Sequence, residues 1–304
     1  MRDCVAILGA GAFGRALAEI ARPGGPVRLI GRRPADGVET DLAALEGAAF
    51  VILAVPAQAT RAALEGARAH LPPGAPLILA AKGIEASTGL LQSEIVGAVA
   101  PSRPLLALTG PAFAADLLAG LPTAVTLAGP PEAAEQAQAR LAGPTLRPYF
   151  TDDITGAEIG GALKNVVAIA CGAAMGLGLG ESARAALMTR GFGEMVRVAQ
   201  AKGGRAETLM GLSGLGDLAL TAASPRSRNF ALGVLLGKGE APGEGVTREG
   251  AATAAAAAAL AARLGVEAPI HEAVARLVAG RSTAEGEMER LLARPLGQEM
   301  RGRA

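Results

Sequence analysis

Lys164 occupies an unusual place in this 304-residue chain. In the stretch Gly156-Ala-Glu-Ile-Gly-Gly-Ala-Leu-Lys-Asn-Val-Val-Ala-Ile-Ala-Cys-Gly172 it is the one charge after Glu158, and from Asn165 to Gly180 there is none. Leu163, Val166, Val167 and Ala170 recur at i, i+3, i+4 and i+7, the spacing of a core-facing helix stripe. An ammonium one step off that stripe must snorkel to water, pair with an acid, or release its proton more easily because it is desolvated. Two readings stay open: a snorkelling lysine at a helix edge, and a catalytic acid/base. Gly160 and Gly161, about one turn earlier, leave room for a ligand or a second helix to come close.

Two more stretches carry groups suited to chemistry. Gly211-Leu-Ser-Gly-Leu-Gly-Asp217-Leu delivers one carboxylate into apolar company, and Asp217 is equally open to a reading as a helix cap. Ser224-Pro-Arg-Ser-Arg-Asn229 sets two guanidiniums and an amide beside a proline turn. That group suits a phosphate, because the guanidinium fork matches its oxygens, although Arg226 and Arg228 also fit plain solvated charges.

Near the start, the apolar run Cys4–Leu8 leads into Gly9-Ala-Gly-Ala-Phe-Gly14, a helical stretch Arg15–Ala21 and a second apolar run Val27–Ile30. Strand, G-x-G-x-x-G, helix and strand within about 30 residues is the context of a dinucleotide fingerprint. Gly9 allows the tight turn, Gly11 lets the backbone approach a diphosphate, and Gly14 lets helix and strand pack closely. The second strand ends in Gly31-Arg32-Arg33-Pro34, with no acid for a ribose 2′-hydroxyl. Arginine there suits a 2′-phosphate, so NADP(H) is the expected cofactor; Asp36 leaves NAD(H) open, and a solvated basic turn is the plainer alternative.

Composition narrows the function classes. Net charge is +1, and with no Trp, one Tyr and six Phe there are few stacking platforms, so a nucleic-acid partner is not expected. Cys4 and Cys171 lie far apart in apolar runs without a CxxC motif, which reads as free buried thiols in a reducing, cytoplasmic setting, with no metal site. No membrane span is expected, because the apolar run 166–180 is interrupted by glycine and 251–262 is mostly alanine. Asp3 and the early glycines argue against a signal peptide.

These groups need a scaffold, and the pattern supplies two. Through the first half, apolar runs at 50–55, 77–80, 105–108, 123–127 and 146–151 alternate with helical stretches at 40–45, 59–70 and 132–141. Alternation of this kind predicts a doubly wound, mostly parallel α/β sheet of Rossmann type over residues 1–152. Lys82, after the run Leu77–Ala80, then falls at a strand's carboxyl end, where such sheets bind ligands. His70 reads as a surface residue at a helix end. From 153 onward the pattern is helical, at 154–174, 181–202, 205–211, 226–236, 247–264, 269–278 and 283–293, which predicts an all-α second domain. The tail from Pro295 is expected to be mobile.

The motifs GAGAFG at 9–14, AVP at 54–56, AKG at 81–83, TGPAFA at 109–114, GGALKNV from 160, LMTRG at 187–191, GLGDL at 214–218, SRN at 227–229 and EG at 244–245 occur in one order. In this the sequence resembles the NAD(P)-dependent glycerol-3-phosphate dehydrogenases of the bacterial soluble type, over nearly its whole length. The resemblance implies reversible hydride transfer between NAD(P)H and C2 of dihydroxyacetone phosphate, giving sn-glycerol 3-phosphate for phospholipid synthesis. It implies that Lys164 is the general acid/base, with Asp217 and Lys82 as catalytic companions. Substrate would meet Lys82, Gly110, Ala112, Lys164, Asp217, Ser227, Arg228 and Asn229. Cofactor would meet Gly9, Gly11, Ala12, Phe13, Gly14, Arg32, Arg33, Pro56, Lys82, Ala114, Arg228 and Glu244. Assembly as a homodimer is left open.

Two departures stand out. Thr109 opens a loop that in the family usually begins with serine, and Ala112 replaces a hydroxyl residue. The segment between the second and third strands is short, which leaves the adenine side of the cofactor site less covered. The rival functions are a hydroxyacid or ketopantoate-type reductase on a similar architecture, and a nucleotide sensor without catalysis.

Overall fold

The structure is a computed structural model that describes residues 4–241 and 249–295. β1 (Val5–Leu8) lies between β2 (Val27–Ile30) and β3 (Phe50–Leu53), with Val5 in register with both Val27 and Phe50. β4 (Leu77–Leu79) and β5 (Leu105–Thr109) continue the parallel sheet beyond β3. β6 (Thr123–Ala128) runs antiparallel to β5, and β7 (Leu146–Thr151) pairs parallel to β6. The order is β2-β1-β3-β4-β5-β6-β7. It reverses direction at β1, and in open α/β sheets such a switch point opens a crevice at the strands' carboxyl ends.

Helices α1 (Ala12–Ala21), α2 (Thr60–Ala67), α3 (Gln92–Val99), α4 (Ala114–Leu118) and α5 (Pro131–Leu141) flank the sheet. Side chains alternate faces along a strand. Ile7, Ile52 and Leu106 therefore share one core with Leu17, Leu117 and Leu141 of α1, α4 and α5, while Val51 and Leu77 share the opposite core with Leu64 and Ile95 of α2 and α3. Burial on both faces is why β1 and β3 read as unbroken apolar runs rather than alternating ones.

The second half packs around one central rod, α6 (Ile154–Gly176). Around or beyond it lie α7 (Gly180–Ala201), α8 (Ala206–Met210), α9 (Asp217–Ala222), α10 (Arg228–Gly237), α11 (Glu249–Arg263), α12 (Pro269–Val278) and α13 (Ala284–Leu292). The Asp153 side chain starts α6 by accepting the Gly156 N–H at 2.8 Å. The core holds Leu163, Val166, Val167 and Ile169 of α6 against Met195, Phe230, Leu260 and Val274.

Several sequence expectations are corrected. Glycine does not interrupt α6, which is long and apolar enough to cross a membrane by length and composition (mean hydropathy 1.4), yet 83% of that window is buried within the protein. The expected helix Thr40–Leu45 is a single 3₁₀ turn, Leu42–Leu45. Helices α3, α4 and α9 had no counterpart in the sequence pattern. Of the expected tail, residues 296–304 lie outside the described part, as do residues 247–248 of the expected helix 247–264. Other expectations hold: His70 ends a 3₁₀ turn with its side chain 35% exposed and Nδ1 2.8 Å from Glu46 Oε1, and Cys4 and Cys171 are buried free thiols.

Candidate active site

The glycine loop forms the first wall of the site. Gly9 has φ +125°, and a Cβ there would lie 2.6 Å from the Ala54 carbonyl carbon. A Cβ on Gly14 would lie 1.8 Å from Gly9 O, so the loop closes onto α1 only without side chains at both positions. Gly11 is different: it is the N-cap of α1, no side chain caps the helix, and nothing stands within 4 Å of where its Cβ would point. An uncapped helix N-terminus facing open space is a cradle for a diphosphate, since its free N–H groups and positive dipole end both favour an anion. The observed loop therefore fits the dinucleotide that the sequence anticipates.

A cleft of about 1260 Å³ runs from this loop into the helical half. Gly9, Gly11, Ala12, Phe13, Arg32, Arg33, Pro56 and Ala114 line it, as do Lys82, Ala112, Lys164, Ser227, Arg228 and Asn229. Gly14, Gly110 and Asp217 are not among the residues that line it. Among the described residues, the exposed Arg32 and Arg33 make no hydrogen bond or ion pair with the protein.

Local geometry explains how Lys164 and Asp217 meet. The stretch Leu212–Gly216 forms a π-helical turn, closed by Gly216 N–H donating to Gly211 O at 3.1 Å, and runs straight into α9 at Asp217. A Cβ on Gly160 would lie 2.6 Å from Ser213 O, so this glycine lets the turn press against α6 one helical turn before Lys164. The space at Gly160 and Gly161 thus admits protein: the π turn at the first, the Thr109 side chain at the second. Asp217 begins α9 and is 1% exposed.

Asp217 bridges two ammoniums. Lys82 Nζ donates to Asp217 Oδ2 at 2.7 Å and to the Gly110 carbonyl at 2.8 Å. Lys164 Nζ lies 3.0 Å from Asp217 Oδ1 and donates to Thr221 Oγ1 at 2.7 Å. Lys164 is 6% exposed, which removes the snorkelling reading. Burial lowers its pKa to about 8, with Lys82 adding to the fall, while the pull of Asp217 and, less strongly, of Glu249 opposes it. Burial alone would raise the Asp217 carboxyl, but Lys164 and Lys82 outweigh it and hold the group below its ordinary value. The result is an ammonium that gives up its proton more readily than an ordinary lysine, held beside a carboxylate.

The far wall is α10. Ser227 caps it, its Oγ accepting the Phe230 N–H at 3.2 Å, and the next two residues, Arg228 and Asn229, line the cleft. Asn229 Nδ2 donates to Asn165 Oδ1 at 2.9 Å, and its Oδ1 accepts the Gly250 N–H at 3.1 Å. Much of the Asn229 amide therefore serves to tie α6, α10 and α11 together, leaving one amide hydrogen for a ligand. Arg228 has no hydrogen-bond partner among the described residues.

Glu244 lies outside the described residues. Glu249, which is described, lines the cleft, and its Oε1 accepts the Ala57 N–H at 3.4 Å. Burial raises its pKa against the pull of Lys82, Lys164 and Arg228. Glu249 and Thr221 were both missed from the sequence. For Glu249 a signal existed: the dipeptide Glu-Gly occurs twice in Gly243-Glu-Gly-Val-Thr-Arg-Glu-Gly250, and the second copy opens α11.

A switch-point sheet with a glycine-loop cradle, joined to a helical half that supplies a buried lysine–carboxylate pair, is the build of a nicotinamide-dependent dehydrogenase. Comparison with known proteins agrees. The family model for the NAD-dependent glycerol-3-phosphate dehydrogenase C-terminus matches residues 153–289, and that for the N-terminus matches 37–135. The glycerol-3-phosphate dehydrogenase [NAD(P)+] of Mesorhizobium japonicum is 48% identical over 97% of this chain and 93% of its own length. That of Cereibacter sphaeroides is 49% identical over 97% and 100%. The crystal structure of glycerol-3-phosphate dehydrogenase from Coxiella burnetii superposes with a TM-score of 0.89 at 34% identity, covering 96% of this chain and 99% of that one. The chain belongs to the NAD-dependent glycerol-3-phosphate dehydrogenase family. A ketopantoate reductase from Ralstonia eutropha, with a TM-score of 0.62 at 16% identity, shares the fold alone.

Proposed function

We propose that this enzyme interconverts dihydroxyacetone phosphate and sn-glycerol 3-phosphate, that NADP(H) is its preferred cofactor, and that Lys164 is the proton donor and acceptor. The nicotinamide supplies the hydride to C2 of the ketone. The observation that carries the reading is the Lys82–Asp217–Lys164 bridge, which sets two ammoniums at the floor of a dinucleotide cleft.

As C2 is reduced, negative charge develops on its oxygen. Lys164 Nζ stabilises that charge and then donates its proton. Asp217 holds the ammonium in place and keeps it charged when it would otherwise be desolvated and neutral. Lys82 adds a second positive charge, steered by the Gly110 carbonyl. Arg228 and the N-terminus of α10 take the substrate phosphate, so binding energy remote from C2 fixes its position. Ala112 offers no hydroxyl, whereas Ser227 lines the same cleft with an O–H that can donate. Glu249 adds a carboxyl to the lining of the cleft, in addition to the expected Glu244. A pKa of about 8 serves both directions. The ammonium is needed for reduction, so that rate falls as pH rises through about 8; the free amine is needed for oxidation, so that rate rises over the same range. The buried free thiols fit a reducing cytoplasm, and the reductive direction fits supply of phospholipid synthesis.

The test is loss of NADPH absorbance with dihydroxyacetone phosphate, run beside NADH and beside Lys164→Ala. Rapid loss with wild type and a drop of about 10²–10⁴-fold in the variant is expected. Near wild-type turnover by a folded Lys164→Ala protein overturns the assignment, as does faster turnover of a phosphate-free 2-oxo acid.

A further inference from the structure

Arg226 departs from the pattern of the other site arginines. It belongs to the helical half, one residue before the cap of α10, yet it reaches across the cleft to the sheet half. Its Nη2 donates to Asp116 Oδ1 at 2.6 Å, and its guanidinium lies over the Phe113 ring, 5.1 Å from the centroid. Phe113 is the N-cap of α4 and Asp116 lies in the first turn of α4. Helix α4 in turn packs on α1, whose uncapped N-terminus forms the diphosphate cradle. Arg226 and Phe113 both line the same cleft as Gly11 and Ala12.

We propose that Arg226 is a cofactor-binding residue that clamps the dinucleotide's diphosphate from the helical half. The two anion positions in the cleft are served by two helix N-termini, α1 for the diphosphate and α10 for the substrate phosphate. The Arg226 guanidinium is anchored on the α4 side, beside α1, while Arg228 and Asn229 lead toward Lys164. A guanidinium has five N–H donors, and the bond to Asp116 uses one, so Arg226 can keep Asp116 and still present donors to an anion. Stacking on Phe113 holds its plane in one orientation. Its side chain is 54% exposed and that of Asp116 28%, so the pair is weakly held and adjusts at low cost when an anion arrives. Once bound, the diphosphate joins Arg226 to α1 and so pulls the two halves together before the substrate site is used. This inference rests on the dinucleotide reading of the cleft.

The test measures dissociation constants of the full chain and of Arg226→Gln for NADH, NADPH, ADP-ribose and 2′-AMP. With no tryptophan in the chain, nicotinamide emission reports the first two directly and the others by competition. The expected result is a loss of about five- to twentyfold for NADH, NADPH and ADP-ribose alike, with 2′-AMP unchanged and Arg226→Lys recovering part of the loss. A loss confined to NADPH and 2′-AMP would make Arg226 a reader of the 2′-phosphate and overturn the proposal. So would unchanged cofactor affinity with a raised KM for dihydroxyacetone phosphate, or no change at all. If Arg226→Gln melts well below wild type, Arg226→Lys and Asp116→Asn are compared instead: Asp116→Asn keeps the guanidinium and must retain diphosphate affinity within about threefold, since an exposed pair is worth little. Failure of wild type to bind either nicotinamide cofactor would remove the underlying reading, whereas equal binding by wild type and Arg226→Gln would remove the clamp alone.

Discussion

Replacing Asp217 by Asn tests how the site sets the pKa of Lys164. The substitution keeps the shape and removes the charge that faces both ammoniums, at 3.0 Å from Lys164 and 2.7 Å from Lys82. In the wild type, burial pushes Lys164 down to about 8 and Asp217 opposes that push. An opposite charge at such range moves a pKa by about one to three units. Taking two, the variant's lysine titrates near about 6. At pH 7 the protonated fraction then falls from about nine-tenths to about one-tenth, a tenfold loss of the reductive rate from protonation alone. The lost anchor adds to this. The signature is in the pH profile: kcat/KM for reduction should lose its alkaline limb at about 8 and gain it near 6, with activity partly restored as pH is lowered. The assay is NADPH oxidation with dihydroxyacetone phosphate between pH 5.5 and 9.5, with thermal unfolding as a check on folding. A profile that keeps its limb near 8, or a loss equal at every pH, would refute the electrostatic argument and leave Asp217 as a purely geometric support.

Three further expectations follow from separate parts of the molecule. Glu158 of α6 is 8% exposed and accepts both the Ser93 N–H at 2.8 Å and the Ser93 hydroxyl at 2.5 Å, and burial raises its pKa to about 7 from 4.5. A carboxyl whose folded pKa is raised stabilises the fold below its unfolded pKa and loses that contribution as pH climbs through the folded one. Wild type should therefore lose up to about 3 kcal/mol between pH 4.5 and 7 relative to Glu158→Gln, read as converging and then crossing melting curves. Gly14→Ala puts a Cβ 1.8 Å from Gly9 O, so the loop must shift and nicotinamide binding should weaken by at least tenfold while the helical half stays folded by circular dichroism. Arg32→Ala with Arg33→Ala should cut the NADPH-to-NADH ratio of kcat/KM by about tenfold or more, since charge-assisted bonds to a phosphate are lost; an unchanged ratio would make the pair a solvated turn.

Much of this arrangement was legible in the chain because glycine and isolated charge are strong local signals. The G-x-G-x-x-G loop needs its context of flanking apolar runs, and that context is contiguous in sequence. Lys164 stands out as a charge with no neighbours; its partner Asp217, separated from it by all of α7 and α8, came from the family resemblance and not from spacing. Periodicity missed α4 and α9, which span only five and six residues and so never complete two turns of a hydrophobic pattern. It also lost the direction of β6, because parallel and antiparallel neighbours bury the same apolar residues.

The Glu-Gly pair shows where order along the chain stops being sufficient. Both copies follow SRN along the chain. The second copy is held by packing that only the fold supplies. Gly250 must sit where a Cβ would lie 2.6 Å from Asn165 O, and its N–H must reach Asn229 Oδ1. Asn165 follows Lys164 on α6, and Asn229 follows Arg228 on α10, so Glu249-Gly250 is fixed by the two residues that adjoin the site's own charged groups. A Gly250→Ala variant should thus disturb Asn229 and Arg228 together, raising KM for the phosphorylated ketone by about tenfold with cofactor affinity less affected. A KM equal to wild type would mean that α11 can retreat without moving α10, and the Asn165–Asn229–Gly250 link would then be no support for the phosphate site.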